Sequence, residues 1–211
     1  MWQADPTPLL TKPVIPVLTI ERVEDAVPLA RALVAGGLPV IEVTLRTKVA
    51  LEALRAIIAE VPDVVAGIGT VTNRTDVAHA CDAGAAFLAS PGTSRALAEA
   101  LTDAPIPALP GCSTVSEAMM LMDFDFPVLK FFPAESSGGV RWLKAIAAPL
   151  PELRFCPTGG IEAATAGAYL AMPNVIAVGG SWVAPADAVA SRDFARITEL
   201  AKAAAQLRPA R

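Results

Sequence analysis

Glu42, Thr44 and Arg46 sit two residues apart in an apolar stretch, the spacing that puts side chains on one face of a β-strand. Ile41, Val43 and Leu45 share the opposite face. The apolar set can pack under a helix, which turns the polar set to the other side. A carboxylate held there is costly unless it is paired or used. Glu42 could form a buried ion pair with Arg46 that only holds the strand, or it could move protons. Lys130 is the second group of interest, lying between Leu129 and Phe131-Phe132 inside another apolar run. The other lysines, Lys12, Lys48, Lys144 and Lys202, fall before the first strand or on predicted helices. Burial disfavours an ammonium ion, so a lysine in this setting is poised as a neutral amine that can attack a ketone and form an imine. The plainer reading is a lysine that runs its stem along the strand end and keeps its charge in water.

The elements that must position these groups repeat one theme: a short β-branched run, a corner, then an alanine-rich amphipathic helix. Predicted strand and helix pairs cover residues 14–20 and 24–35, 40–45 and 48–60, 64–71 and 77–83, 87–90 and 96–101. They continue over 106–110 and 114–122, 128–132 and 140–147, 154–156 and 163–170, and 175–178 and 194–206. Alternation of this kind implies a parallel sheet. Eight units without a break favour a single α/β domain, a parallel eight-stranded (β/α)8 TIM barrel over residues 13–211, with residues 1–12 as a short N-terminal lead-in that covers its bottom.

In such a barrel the polar strand residues face the lumen, and the site lies at the C-terminal strand ends. Two glycine pairs fall there. Pro157-Thr158-Gly159-Gly160-Ile161 follows the seventh strand, and Val178-Gly179-Gly180-Ser181-Trp182 the eighth. The loops after strands seven and eight commonly bind phosphate, because glycine lets backbone N–H groups approach the oxygens and a helix N-terminus adds its dipole. Either turn alone would be an ordinary tight turn. Gly69-Thr70, Ser90-Pro91-Gly92 and Pro110-Gly111 end the third, fourth and fifth strands with small or hydroxyl residues, leaving room for a small polar ligand, though each by itself reads as turn chemistry.

Other chemistries lack their residues. No glycine pair opens a GxGxxG fingerprint. The lone histidine, His79, belongs on an outer helix surface, and without a second histidine a zinc triad is not expected, so neither metal nor cofactor is. Cys81, Cys112 and Cys156 are odd in number and widely spaced, with no CxxC, which fits a reducing cytoplasm. Cys156 reads as a small buried apolar residue, and Met119, Met120 and Met122 as helix packing. Of the 211 residues, 54% are hydrophobic, and mean hydropathy is +0.50. Every apolar run is nevertheless cut by charge, Pro or Gly before the roughly 20 residues a membrane span needs. The N-terminus lacks the basic and apolar pattern of a signal peptide. A net charge of −4 without a basic stripe makes nucleic acid an unexpected partner.

Six strings carry a family resemblance: Glu42-Val43-Thr44-Leu45-Arg46-Thr47, Gly67-Ile68-Gly69-Thr70-Val71, Ser90-Pro91-Gly92, Lys130-Phe131-Phe132-Pro133-Ala134-Glu135, Pro157-Thr158-Gly159-Gly160-Ile161 and Gly179-Gly180-Ser181-Trp182. In this order they resemble the 2-keto-3-deoxy-6-phosphogluconate (KDPG) and 4-hydroxy-2-oxoglutarate aldolases, from about Pro13 to Leu200. The resemblance implies a class I aldolase of the Entner–Doudoroff pathway that reversibly cleaves the phosphorylated keto acid to pyruvate and glyceraldehyde 3-phosphate. It implies that Lys130 forms the pyruvate imine and Glu42 acts as general acid and base through a water. Arg46 and Thr70 would hold the pyruvate carboxylate, with help near Pro91. Gly159, Gly160, Gly180 and Ser181 would hold phosphate, Thr158 would sit beside Lys130, and Phe132 would wall the imine. It also implies a homotrimer. Ile68 departs from the family, which more often has a small residue there; it either faces the helix layer or narrows the mouth.

Three alternatives stand beside this reading. A sister enzyme acting on the galactonate epimer, or on 4-hydroxy-2-oxoglutarate, would share the lysine and glutamate. A phosphosugar isomerase on the same barrel would not require a lysine buried among Leu129, Phe131 and Phe132. A non-catalytic phosphometabolite-binding barrel would keep the glycine turns and have no use for Glu42 and Lys130 together.

Overall fold

The computed structural model describes residues 5–207, apart from the side chain of Pro8. Residues 1–4 of the predicted lead-in, and 208–211 at the end of the predicted barrel domain, lie outside the described residues. A 3-10 turn, Thr7–Leu9, precedes the first strand. The strands are β1 Val14–Leu18, β2 Val40–Thr44, β3 Val65–Gly69, β4 Leu88–Ala89, β5 Ala108–Leu109, β6 Gly111–Cys112, β7 Val128–Phe131, β8 Arg154–Pro157 and β9 Val178–Gly180. The helices are α1 Val23–Ala35, α2 Ala50–Glu60, α3 Arg74–Asp82, α4 Arg95–Thr102, α5 Val115–Met122, α6 Gly139–Ile146, α7 Ala163–Leu170, α8 Ala186–Ala190 and α9 Phe194–Ala205. Side-chain caps help define several helix starts. Asn73, Ser94 and Asp193 each accept the backbone N–H three residues on, and Thr114 with Glu117 forms a capping box.

All strand pairings are parallel. Six strands run in the order β5-β4-β3-β2-β1-β9 and three in the order β6-β7-β8, while isolated bridges join Phe155 to Val175 and Thr158 to Gly179. Alternate strand residues divide into two apolar clusters. Leu18, Ile41, Val43, Ile68, Leu129, Phe131 and Phe155 pack outward with the helices. Ile15, Val40, Ala89, Leu109, Val128, Cys156 and Ala177 pack on each other in an inner cluster that also takes in Leu10. A flat sheet cannot bring residues from β1, β2, β4, β5, β7 and β8 together on one face, so the sheet is curled. Ile68 is fully buried in the outer cluster and leaves the mouth untouched.

The elements depart from the predicted ones most clearly at the fifth and eighth strands, at α8 and ahead of α2. The fifth strand is two short pieces on either side of Pro110, which has no N–H to give; the N–H of Gly111 goes instead to Ser90 Oγ at 2.9 Å. The eighth strand is displaced to Val178–Gly180, because Gly179 and Gly180 pair with Ile15 and Pro16 rather than turning. Helix α8 is an addition, since five residues are too few to show a helical period in the sequence. Lys48 lies in a turn ahead of α2, not on the helix.

Candidate active site

β2 turns Val40, Glu42 and Thr44 inward, and β7 does the same with Val128 and Lys130. The curl sets these faces opposite one another. Lys130 Nζ donates to Glu42 Oε1 at 2.8 Å and to Oε2 at 3.0 Å, across 88 residues of sequence. The two side chains are 6% and 5% exposed, and no other ion pair among the described residues has both partners buried. Glu42 thus pairs with Lys130, not with Arg46. Arg46 lies beyond the end of β2, where its side chain is exposed.

Close packing fixes this pair. A Cβ on Gly69 would overlap the Glu42 carboxylate, so glycine on the strand beside β2 leaves that carboxylate its place. Thr70, which follows, is held at φ 63°, a left-handed conformation that is a genuine outlier for a β-branched residue and of a kind that gathers at functional sites. Lys130 is paired in register with Gly111 and Cys156. Burial pushes the Cys156 thiol up to about 12; Lys130 pulls it down and Glu42 raises it further. Cys156 is therefore a packing residue under the pair, as its sequence position indicates. Thr44 Oγ1 is spent on the Leu18 carbonyl at 2.9 Å. Ser90 is likewise structural, since its buried hydroxyl accepts from Gly111 and lies 2.9 Å from Thr93 Oγ1.

A cavity of about 420 Å3 opens at the strand ends; Glu42 and Lys130 lie behind its wall rather than on it. Arg46, Phe132, Thr158, Gly159, Gly160, Gly180 and Ser181 all stand on its wall, brought together from four strand ends. Lys130 Nζ is 5.8 Å from the Phe132 ring centroid, which ties the amine to the cavity. Thr70 and Pro91 are not on this wall; both are half-buried at the neighbouring ends of β3 and β4. Gly159 and Gly160 adopt φ 99° and 77°, which glycine reaches without a Cβ penalty. Gly179 and Gly180 are required for space instead: a Cβ would overlap Thr158 Oγ1 at the first and the Trp182 ring at the second.

Sequence reasoning passed over Val17, Thr19, Glu135 and Tyr169. Val17, Thr19 and Glu135 line the cavity. Tyr169, the only tyrosine, donates its hydroxyl to Glu135 Oε1 at 2.7 Å. Burial and the adjoining Glu135 carboxylate hold the phenol above its ordinary range. The available signals were Glu135 inside the string that begins at Lys130, and a lone tyrosine in an alanine-rich helix. His79 is exposed on α3. Among the described residues no cluster of His, Cys, Asp or Glu could hold a metal ion, and no helix is long and apolar enough to cross a membrane.

An amine and a carboxylate in contact, shielded from water beside an open cavity, can form an imine and shuttle protons at one place. Comparison with known proteins points the same way. Residues 7–200 match the profile of the family described as KDPG and KHG aldolase. The KHG/KDPG aldolase of Escherichia coli (strain K12) is 50% identical over 206 residues, covering 97% of each chain. The 2-dehydro-3-deoxy-phosphogluconate aldolase of Dickeya dadantii (strain 3937) is 52% identical over 204 residues, covering 96% of each. The crystal structure of the Legionella pneumophila KDPG aldolase, with pyruvate captured at low pH as a covalent carbinolamine intermediate, superposes with a TM-score of 0.94 at 44% identity, covering 97% of this chain and all of that one.

Proposed function

The chain belongs to the KDPG and KHG aldolase family, and from that premise we propose that it is a class I lyase cleaving 2-keto-3-deoxy-6-phosphogluconate to pyruvate and glyceraldehyde 3-phosphate, with 4-hydroxy-2-oxoglutarate as a second substrate. The observation that carries this reading is the buried contact between Lys130 Nζ and the Glu42 carboxylate.

The chemistry follows from that contact. Glu42 takes a proton from Lys130 Nζ, the freed amine adds to the C2 ketone, and with that proton delivered to the departing hydroxyl the carbinolamine loses water to give a protonated imine. Glu42 takes the proton of the C4 hydroxyl as the C3–C4 bond breaks. The bond's electron pair flows into the imine, leaving an enamine and releasing the aldehyde. Glu42 then returns the proton to C3, and water hydrolyses the pyruvate imine to free the amine. The protonated imine is the electron sink, so the reaction calls for neither metal nor cofactor. Arg46 and Thr70, at the ends of adjacent strands, take the carboxylate, with Pro91 beside them; Arg46 suits it through its bidentate fork. Gly159, Gly160, Gly180 and Ser181 take the phosphate, Thr158 stands next to the amine, and Phe132 walls the imine.

An isomerase or a binding barrel has no use for an amine and a carboxylate buried against each other, and neither is favoured. The named relatives favour the gluconate over the galactonate substrate. We read the nine strand pieces as a closed eight-stranded barrel over residues 13–211 behind a lead-in of residues 1–12. β5 and β6 are then one strand interrupted at Pro110, and the two isolated bridges join β8 to the last strand. The enzyme works in the cytoplasm as a homotrimer, which light scattering would report as three times the 21.8 kDa chain.

Borohydride trapping with pyruvate, followed by peptide mapping, tests the central claim. A pyruvate-sized adduct on Lys130 is expected, and Lys130→Ala should abolish both adduct and turnover while leaving the fold intact. Glu42→Gln should still trap pyruvate but slow the proton transfers by about 10²- to 10⁴-fold. Absence of the adduct from folded wild-type protein would reject the aldolase mechanism.

A further inference from the structure

Glu135 and Tyr169 touch none of the reacting atoms in the mechanism above, yet they are built against the part of the cavity wall that lacks side chains of its own. Glu135 N–H donates to the Gly159 carbonyl at 3.1 Å, and the neighbouring Ala134 N–H donates to the Thr158 carbonyl at 2.8 Å. A Cβ on Gly160 would come within 2.7 Å of Glu135 Cβ and 2.9 Å of its Cγ. The methylene stem of Glu135 thus lies flat on the glycine turn. Its carboxylate is exposed and would swing freely were it not held at 2.7 Å by Tyr169. Tyr169 is 1% exposed in α7, the helix that follows this turn. Its hydroxyl also sits 3.0 Å from where a Cβ on Gly139 would be, so Gly139 keeps the space open. A hydrogen bond to an ionised carboxylate is roughly twice as strong as a neutral one. With its phenol held above the ordinary range, Tyr169 stays a donor throughout neutral pH.

We infer that Glu135 and Tyr169 are positioning residues: together they clamp the Gly159-Gly160 turn, and the clamp sets the affinity of the cavity for the phosphate end of the substrate without acting on bond cleavage. This rests on the reading above that the turn holds phosphate. Two consecutive residues with left-handed φ have no side chains to lock them, and ordering them at the moment of binding would cost conformational entropy. The clamp places that ordering in the folded protein instead, the way preorganisation raises affinity elsewhere.

Tyr169→Phe removes the hydroxyl and keeps the ring, and Glu135→Gln keeps an acceptor for it. Tyr169→Phe is expected to raise KM for the phosphorylated keto acid about five- to tenfold, with kcat within about twofold, and to weaken competitive inhibition by inorganic phosphate by the same factor. Borohydride trapping of pyruvate, which does not use the phosphate end, should proceed at the wild-type rate. Glu135→Ala should reproduce Tyr169→Phe, and Glu135→Gln should recover most of the loss. Glu135 is exposed, so Glu135→Ala serves if Tyr169→Phe folds poorly. Unchanged inhibition by phosphate in both Tyr169→Phe and Glu135→Ala would overturn the clamp. So would an equal loss of phosphate affinity and pyruvate trapping, which marks general damage. Failure of inorganic phosphate to inhibit the wild-type enzyme at all would instead reject the phosphate reading of the turn.

Discussion

Gly69→Ala puts a methyl group from β3 against the carboxylate of the proposed proton-transfer residue, Glu42. Gly69 does not have a left-handed φ, so the backbone tolerates alanine and the whole effect comes from the side chain. The new Cβ would stand 2.6 Å from Glu42 Cγ and 2.5 Å from its Cδ, where ordinary carbon contacts begin near 3.5 Å. Glu42 must therefore retreat by about 1 Å, in a strand whose other side is packed, and its 2.8 Å contact with Lys130 cannot survive unchanged. Overpacking of this kind costs about 1–3 kcal/mol. At this chain length each kcal/mol lowers Tm by about 2–4 °C, which gives a fall of roughly 2–12 °C. A misplacement of about 1 Å at a reacting group can remove about 10² in rate. The expected outcome is a folded enzyme with kcat down at least about 100-fold, and a pyruvate adduct that still maps to Lys130. Calorimetry, coupled detection of pyruvate and borohydride trapping measure the three quantities. Gly92→Ala is the control, since nothing lies within 4 Å of its Cβ, and it should match wild type. Retention of activity within about threefold in Gly69→Ala would refute the argument that this glycine exists to seat Glu42.

Two further predictions come from ionisable groups outside the proposed chemistry. Burial pushes the thiols of Cys112 and Cys156 up to about 12, a thiolate fraction of about 10⁻⁴ at pH 8, so iodoacetamide should label only the half-buried Cys81 in the folded protein and all three cysteines in urea; modification of Cys156 as fast as Cys81 would contradict its packing role. Burial tends to raise the Glu117 carboxyl, but the N–H groups of Ser113 and Thr114 and their hydroxyls outweigh it and leave the group below its ordinary range. A depressed carboxyl stabilises the fold above the unfolded range near pH 4, and that contribution disappears as pH falls through the folded value. The stability gap between wild type and Glu117→Gln should therefore be constant at neutral pH and close in acid; a gap that widens in acid would show the sign to be wrong.

Much of the site is legible in the order of residues alone, because strand alternation is local chemistry. A period of two residues sets Glu42 and Thr44 on one face and Ile41 and Val43 on the other, and an apolar frame around Lys130 is enough to bury it. The glycine pairs mark places where a side chain could not go. What the sequence could not decide is which partner each buried group meets. Arg46 looks as available to Glu42 as Lys130 does, being four residues away rather than 88, but β2 ends at Thr44 and carries Arg46 out to the exposed cavity wall. The pairing with Lys130 exists only because the curled sheet sets β2 across from β7. The contact from Tyr169 to Glu135 has the same origin, and so does the use of Gly69 for space rather than for backbone freedom. Alternation and propensity act between residues a few positions apart and can be read from the chain. Register, curl and close approach act between segments that meet only when the core forms.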